Sequence, residues 1–299
     1  MSIINHKYDY DVGELVSMSR KGVLLLVLSL ISTIAISVIV ASIIAQQQFQ
    51  ESTFTSSSQG VEKPTDIGLK YEKIDIILDG RILKAWYVPA KNEVGAVLVF
   101  HGQNESLSSW ISAIQRLNNY GLSVFLFDYS GFGDSQGEPS VTALREDAGA
   151  AYKEFRRWRT DTVPSYFLGY SLGTGILIDA LSHYDMPADG IILASPFSTI
   201  RDVAIEEGSI LPLFSFLVPN AYDNVEGVMS IKLPIHIIHS ETDGRFPVWM
   251  AQQIASATPN ADLVVVPTPT HSEFLASPLE LGGDGKLFWG AVLHAMHPN

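Results

Sequence analysis

The sequence predicts an α/β fold in which a doubly wound, mostly parallel sheet is covered by helices. Three observations predict it: short apolar runs recur along the chain, most of them precede a segment of helical length and spacing, and an alternating hairpin pattern comes first. Apolar runs of this length are typical of strands buried on both faces of a parallel sheet. Alternating strands and helices are the units from which such sheets are built.

The hairpin is predicted by two alternating segments joined by a turn. Residues 71–78 read YEKIDIIL, Asp79 and Gly80 follow, and residues 81–88 read RILKAWYV. An Asp-Gly pair between alternating segments is a strong hairpin signal. The sheet is therefore expected to begin with an antiparallel pair.

Six apolar runs after the hairpin predict buried strands, and several segments between them predict helices. The runs are residues 96–100, 124–127, 166–168, 191–194, 235–238 and 263–266, and the helical segments include residues 107–120, 141–159 and 248–257. Ligands of such sheets bind at the carboxyl ends of the strands. A functional site is expected there.

An apolar segment near the N-terminus predicts a membrane anchor. Residues 22–45 read GVLLLVLSLISTIAISVIVASIIA, without charge or proline. A helix of this length spans about 36 Å, which is enough to cross a bilayer with some tilt. A cleaved signal peptide is the alternative, but the run is long, acids precede it and no small-residue cleavage site precedes Gln46.

Flanking charges predict the orientation of this anchor. Lys7, Arg20 and Lys21 precede the span, whereas the first lysine after it is Lys63. Positive residues stay on the cytoplasmic side, so residues 1–21 are expected in the cytoplasm and the rest on the periplasmic or extracellular side. Residues 46–68 are expected to be a tether, and residues 69–299 the α/β domain.

Composition argues against several other functions. The 299 residues include 19 Lys and Arg against 32 Asp and Glu, a formal charge of -13. Nucleic acid is therefore not expected as a partner, because phosphate binding needs clustered positive charge. The absence of cysteine removes disulfides, cysteine nucleophiles and thiolate metal sites. No metal or organic cofactor is expected.

The stretch FLGYSLGTG, residues 167–175, predicts a nucleophile. Ser171 lies between Gly169 and Gly173, where an apolar run gives way to a helical pattern. A sharp strand-to-helix turn strains the central residue and leaves room only for small residues two positions away. The N–H of Leu172, at the helix start, is then placed to hold an oxyanion.

A base and an acid are expected after the serine, because serine is a weak nucleophile without them. His271 follows the last strand and is the predicted base, whereas His294 and His297 lie on or beyond a terminal helix. Asp243, in the turn after residues 235–238, is the predicted acid, with Glu241 as the alternative.

The second oxyanion donor is expected in the loop HGQNES, residues 101–106, after the first parallel strand. Gly102 allows a sharp turn there, and the backbone N–H of Gln103 is the predicted donor.

Five segments occur in this order along the chain: FHGQ, FDYSGFGDS, GYSLG, SPF and HSETD. Together they resemble the α/β-hydrolase superfamily over about residues 69–299. The chain is most similar to small, membrane-anchored, bud-emergence-type serine hydrolases with a minimal lid. The resemblance implies a triad of Ser171, Asp243 and His271, with the amides of Gln103 and Leu172 as the oxyanion hole. Ser240 stands where a glycine is usual, and Gln103 where Asn or Gly is commoner.

The expected function is hydrolysis of esters or thioesters through an acyl-enzyme. A peptidase or amidase with the same triad, and a non-catalytic binding protein of this fold, remain alternatives. A short lid, residues 208–228, begins with the apolar GSILPLFSFLVP. It is either a connection packed in the core or a lip that accepts an acyl chain or touches the bilayer. The sequence does not indicate an oligomeric state.

Overall fold

The structure is a computed structural model, and it describes residues 20–56, 60–267, 270–271 and 285–296. Within these residues, eight strands form one sheet in the order β1-β2-β4-β3-β5-β6-β7-β8. They are β1 Glu72–Leu78, β2 Arg81–Val88, β3 Gly95–Phe100, β4 Leu122–Phe127, β5 Ser165–Tyr170, β6 Gly190–Ala194, β7 Ile235–Ser240 and β8 Ala261–Val266.

The strand pairing confirms the predicted sheet. β1 pairs with β2, and β2 with β4, in antiparallel register, whereas the five remaining pairs are parallel. The N-terminal hairpin thus forms one edge of an otherwise parallel sheet. Each predicted run lies inside one of these strands.

Helices cover both faces of the sheet. They are α1 Arg20–Thr53, α2 Ile111–Asn119, α3 Val141–Trp158, α4 Leu172–His183, α5 Ile200–Glu206, α6 Asn224–Gly227, α7 Val248–Ala257 and α8 Gly285–Ala295. In β3, Leu98 and Phe100 face the apolar cluster on one side, and Val97 and Val99 face the cluster on the other. This two-sided burial explains why the central strands read as continuous apolar runs.

The N-terminal helix fits a single-pass anchor. Within the described residues, α1 is the one helix long and apolar enough to cross a membrane, and its apolar part is exposed rather than buried in the domain. A core helix would instead be mostly buried. The predicted cytoplasmic segment, including Lys7, lies outside the described residues except for Arg20 and Lys21, which begin α1.

The helix continues beyond the predicted end of the span. Residues 46–53, expected to begin a tether, are the last two turns of α1. Gln and Glu favour a helix, and Phe49 and Phe54 are buried against the domain. This tertiary packing keeps the segment ordered where composition alone indicated a tether.

The predicted lid, residues 208–228, has two parts. Its second part packs into the core, because Val218, Tyr222 and Val228 are buried. Its first part contains the 3-10 helix Pro212–Leu217, which lies against α1. This part is exposed, and its exposed apolar side chains are Leu211, Leu213, Phe214 and Phe216.

Candidate active site

Ser171 lies at a tight turn between β5 and α4. Its backbone has φ 52° and ψ -121°, a conformation that a non-glycine residue seldom adopts. A Cβ on Gly173 would lie 2.0 Å from the carbonyl oxygen of Phe100, and one on Gly169 would lie 3.0 Å from that of Gly173. Gly173 therefore lets the turn close against the end of β3, and Gly169 lets β5 approach the start of α4.

The side chains of Ser171, His271 and Asp243 form a continuous hydrogen-bonded chain. His271 Nε2 lies 2.9 Å from Ser171 Oγ, and His271 Nδ1 lies 2.7 Å from Asp243 Oδ2. The imidazole is held between two rings, with that of Tyr170 stacked at 5.4 Å and that of Phe246 edge-on at 4.8 Å. The Tyr170 hydroxyl also donates to the His271 carbonyl.

The carboxylate of Asp243 is fixed by the backbone of its own turn. Its Oδ1 accepts the N–H groups of Arg245 at 3.0 Å and Phe246 at 2.9 Å. Burial alone would raise the pKa of Asp243, but the hydrogen bond and charge of His271, together with the Phe246 N–H, outweigh it and hold the pKa below its ordinary value. The group is therefore ionised at neutral pH and orients the imidazole.

The alternative site residues lie elsewhere. Glu241 follows β7 and is exposed, whereas Asp243 is buried beside His271. His294 is exposed on α8, and His297 lies outside the described residues, as do residues 268–269 of the loop before His271. The described geometry thus favours Asp243 and His271 over the other candidates.

The two residues predicted to supply the oxyanion donors both lie at the cavity that contains Ser171. Leu172 begins α4, and Gln103 follows the end of β3; both line the same cavity as Ser171. The helix start directs N–H groups and the positive end of the dipole to this place. A hydrogen bond holds the loop of Gln103 in place, because the Tyr129 hydroxyl donates to the carbonyl of His101 at 2.9 Å.

Glu105 supports the same loop and was not identified from the sequence. Its Oε2 accepts the N–H of Gly102 at 2.6 Å and the indole N–H of Trp110 at 2.9 Å. Burial raises the pKa of Glu105 to about 7. An acid three residues after a turn glycine is too common a pattern to have identified this residue.

A second acid and base, His101 and Asp128, lie buried behind the loop. His101 Nε2 is 3.5 Å from Asp128 Oδ1, which also accepts the N–H of Leu107 at 2.9 Å. Burial lowers the pKa of His101 to about 4 and raises that of Asp128 to about 8. At neutral pH both groups are therefore uncharged, which suits a fully buried pair.

A cavity of about 520 Å³ opens over Ser171. Its volume falls in the range typical of small-molecule sites. Its wall is partly apolar and partly polar, with contributions from α1, α5 and the lid. The apolar residues include Ala45, Phe49, Phe197, Ile200, Val203, Ala204, Ile210, Val218 and Phe246, and the polar ones include Gln48, Glu51, Ser52, Thr53, Glu207, Ser209 and Arg245. Among the residues that the structure describes, no group of three or more His, Asp or Glu could hold a metal ion.

Comparison with known proteins identifies the family. The model of the family described as Serine aminopeptidase, S33, matches residues 91–228. An uncharacterized protein of Mycobacterium tuberculosis is 31% identical over 200 residues, which cover 65% of this chain and 70% of that protein. The Pyrococcus furiosus esterase Pf2001 shares the fold, with TM-score 0.64 and 21% identity over 81% of this chain and 99% of the esterase. The chain belongs to the α/β-hydrolase superfamily.

Other hydrolases of the superfamily are similar to this one. The lysophosphatidylserine lipase ABHD12 of Macaca fascicularis is 31% identical over 210 residues, or 63% of this chain and 52% of the lipase. A soluble variant of monoglyceride lipase from Saccharomyces cerevisiae has the same fold, with TM-score 0.57 and 17% identity over 77% of this chain and 94% of the lipase. The resemblance predicted from the sequence is confirmed, and this α/β-hydrolase is a hydrolytic enzyme.

Proposed function

We propose that this α/β-hydrolase cleaves acyl esters or thioesters through a covalent acyl-enzyme on Ser171. One observation carries the proposal: the unbroken hydrogen-bonded chain from Ser171 through His271 to Asp243. Nucleophile, base and orienting acid stand in the arrangement that acyl transfer requires.

The reaction follows from this arrangement. His271 Nε2 takes the hydroxyl proton as Ser171 Oγ attacks the acyl carbonyl, and Asp243 stabilises the imidazolium. The N–H groups of Gln103 and Leu172 hold the oxyanion. The imidazolium then protonates the leaving alcohol or thiol. Water, deprotonated by the same imidazole, attacks the acyl-enzyme, and the carboxylic acid and free serine are released.

The cavity supports substrates with acyl chains. Part of its wall is apolar, at Phe197, Ile200, Val203 and Val218, so an acyl chain lying against that part would be removed from water while its carbonyl meets the nucleophile. The similar proteins point the same way, since two of them are named as lipases of lysophosphatidylserine and of monoglyceride. We infer that the substrates are acyl lipids.

A peptidase on the same triad is the second candidate, because the matching family model is described as a serine aminopeptidase. An aminopeptidase needs a free carboxylate near the nucleophile to hold the substrate amine. Two carboxylates line the cavity: that of Glu207 lies 3.3 Å from the guanidinium of Arg245, and that of Glu51 accepts from the side-chain amide of Gln47 at 2.8 Å. Glu51 is the carboxylate that would hold a substrate amine in this second candidate.

We also propose that α1 anchors the enzyme as a single span, with the catalytic domain on the periplasmic or extracellular side. Exposure of the apolar part of α1 supports the anchor. Arg20 and Lys21 at the beginning of α1 support the orientation.

The test compares wild type with Ser171→Ala, using the full chain in detergent micelles. A fluorophosphonate probe should label wild type, and Ser171→Ala should lose both the label and at least roughly a thousandfold in ester hydrolysis. Ser209→Ala is the matched control, since Ser209 lines the same cavity outside the hydrogen-bonded chain.

A substrate panel separates the candidates. Acetyl, octanoyl and palmitoyl esters, a monoacylglycerol and an aminoacyl amide are offered to the same preparations. We expect the longer esters and the monoacylglycerol to be cleaved. Activity on acetyl esters alone would contradict acyl lipids, cleavage of the amide alone would favour the peptidase, and an unlabelled wild type would indicate a binding protein.

A further inference from the structure

The last turns of the anchor helix form part of the wall above the nucleophile. Six residues of α1 line the same cavity as Ser171: Ala45, Gln48, Phe49, Glu51, Ser52 and Thr53. Ala45 is also the last residue of the apolar run that fits a membrane span. The wall of the cavity is thus continuous with the span, with no loop between them.

Aromatic packing fixes this helix end against the domain. Phe49 is 7% exposed and meets Phe54 edge-on at 5.6 Å, and Phe54 meets the buried Tyr222 edge-on at 6.4 Å. Edge-on aromatic pairs of this kind add to the stabilisation that burial alone provides. The helix end is therefore held in place, and its distance from Ser171 is set by the fold.

The segment after the helix is also bonded to the oxyanion loop. The N–H of Asn104 donates to the carbonyl of Thr55 at 3.0 Å. The side-chain amide of Gln103 donates to the carbonyl of Ser52 and to the hydroxyl of Thr55, and its oxygen accepts from Arg245 at 2.8 Å. The residue whose N–H is the proposed oxyanion donor is thus tied by its side chain to the end of the anchor.

We propose that the anchor end, defined as Ala45, Gln48, Phe49, Ser52 and Thr55, is part of the active site and selects acyl chains that arrive from the bilayer. Its helical residues form a wall that limits the length of the acyl chain in the cavity. Ser52 and Thr55 position the oxyanion loop. This inference rests on the proposed ester hydrolysis and deepens it. The substrate class is a membrane-resident acyl lipid, whose chain would enter the cavity past Ala45, at the end of the apolar run.

The exposed part of the lid lies beside the route that we propose for the acyl chain. The 3-10 helix Pro212–Leu217 lies against α1, and Leu213 and Phe216 are 77% and 61% exposed. Ile210, just before it, lines the cavity. Exposed apolar groups of the lid thus lie beside the cavity and next to α1, as expected for a surface that meets lipid.

A matched pair of variants tests the wall. Ala45→Phe places a ring in the cavity, whereas Gln46→Phe places the same ring on an exposed neighbour that does not line it. The full chain is reconstituted in phosphatidylcholine vesicles and assayed with butyryl and palmitoyl esters. We expect Ala45→Phe to lower kcat/KM for the palmitoyl ester roughly tenfold or more and to leave the butyryl ester within about twofold, because a methylene in an apolar pocket is worth about 1 kcal/mol or more. Gln46→Phe should match wild type.

A second pair tests the bond to the oxyanion loop. Thr55→Val removes one acceptor of the Gln103 amide while keeping the shape of the side chain, and Ser56→Ala alters an exposed neighbour as the control. We expect Thr55→Val to lower kcat about three- to tenfold for both esters, with KM and Tm unchanged, as for one hydrogen bond weakened in the transition state. A lower Tm with unchanged kcat would show a merely structural contact.

The outcomes separate the two proposals. If wild type neither hydrolyses esters nor reacts with the fluorophosphonate probe, the proposed function fails, and this inference fails with it. If wild type is active but Ala45→Phe keeps the wild-type preference between butyryl and palmitoyl esters, the proposed function stands and the anchor end is not part of the acyl site. If Thr55→Val keeps wild-type kcat, the anchor end does not position the loop.

Discussion

The backbone of Ser171 shows how a strained residue is held by its neighbours. A positive φ at a non-glycine residue costs on the order of 1–3 kcal/mol, and here Ser171 has φ 52°. The turn persists because Gly173 lies against the carbonyl of Phe100, and because the Ser171 N–H donates to Ala194 at 3.1 Å. The strain places Oγ within hydrogen-bonding distance of His271.

The close approach at Gly173 predicts a large loss of stability on substitution. In Gly173→Ala the new Cβ would lie 2.0 Å from a backbone oxygen, which cannot move aside as a side chain can. We expect Tm to fall by on the order of 10 °C in thermal unfolding, in line with severe overpacking.

A second glycine in a helix provides the control for this prediction. Gly290 lies in α8, and nothing stands within 4 Å of a Cβ placed there. Gly290→Ala should leave Tm unchanged or raise it slightly, because alanine favours a helix by about 0.5–1 kcal/mol. Equal Tm values for the two variants would contradict the clash.

The proposed reactive residues could be chosen from the sequence because chain order and strand ends constrain them. Ser171, Asp243 and His271 each follow an apolar run that became a strand. Their mutual distances could not be predicted, since these depend on how β5, β7 and β8 align in the sheet. Glu105 was missed for the same reason: its contact with Trp110 appears only once the loop after β3 folds back on itself.

The loop between β3 and α2 contains Glu105, whose pKa the fold raises to near neutral pH. Burial raises the pKa of Glu105 from its ordinary value of 4.5 to about 7, so the folded protein binds this proton more tightly than the unfolded chain. The corresponding stabilisation is complete below about pH 4.5, is lost as the pH rises to about 7, and is constant above that.

This pKa predicts a pH-dependent difference between wild type and Glu105→Gln. The amide stays uncharged and can still accept from the Gly102 N–H, so it avoids the cost of ionisation. We expect Tm of Glu105→Gln to match that of wild type near pH ~5 and to exceed it by on the order of 5 °C near pH ~8. Thermal unfolding across this range is the measurement, and parallel curves would contradict the raised pKa.

The strands and the anchor helix were predictable to different degrees. A strand buried on both faces needs a continuous apolar run, so each run marked a strand. The end of α1 depends on contacts distant in sequence, chiefly those of Phe49 and Phe54 with the domain. Residues 46–53 carry only local signals, and these permit either a helix or a tether.

The whole molecule brings an apolar helix, an exposed apolar lid and a cavity together. α1 and the 3-10 helix Pro212–Leu217 are in contact, and residues of α1 and the lid line the cavity above Ser171. An exposed patch of this kind, next to a membrane span, is typical of a surface that meets lipid. The enzyme would therefore work with its site at the membrane boundary.

The orientation of the chain can be tested with single cysteines, because the natural chain has none. Val61 is 88% exposed, so Val61→Cys should react with a membrane-impermeant maleimide on intact cells if the catalytic domain is outside the cytoplasm. Leu83→Cys is the control, since Leu83 is fully buried and should react only after unfolding. Reaction of Val61→Cys only after the cells are permeabilised would reverse the proposed orientation.

The unbroken course of α1 from the span to the cavity wall has a mechanical consequence. The apolar run is about 36 Å long as a helix, somewhat more than the roughly 30 Å hydrocarbon layer, and such mismatch is relieved by tilting. Because no flexible joint separates Ala45 from Phe49, and Phe49 and Phe54 are buried against the domain, a change of tilt would turn the catalytic domain together with the helix. Under the proposed anchoring, bilayer thickness would set the angle at which the mouth of the cavity faces the lipid.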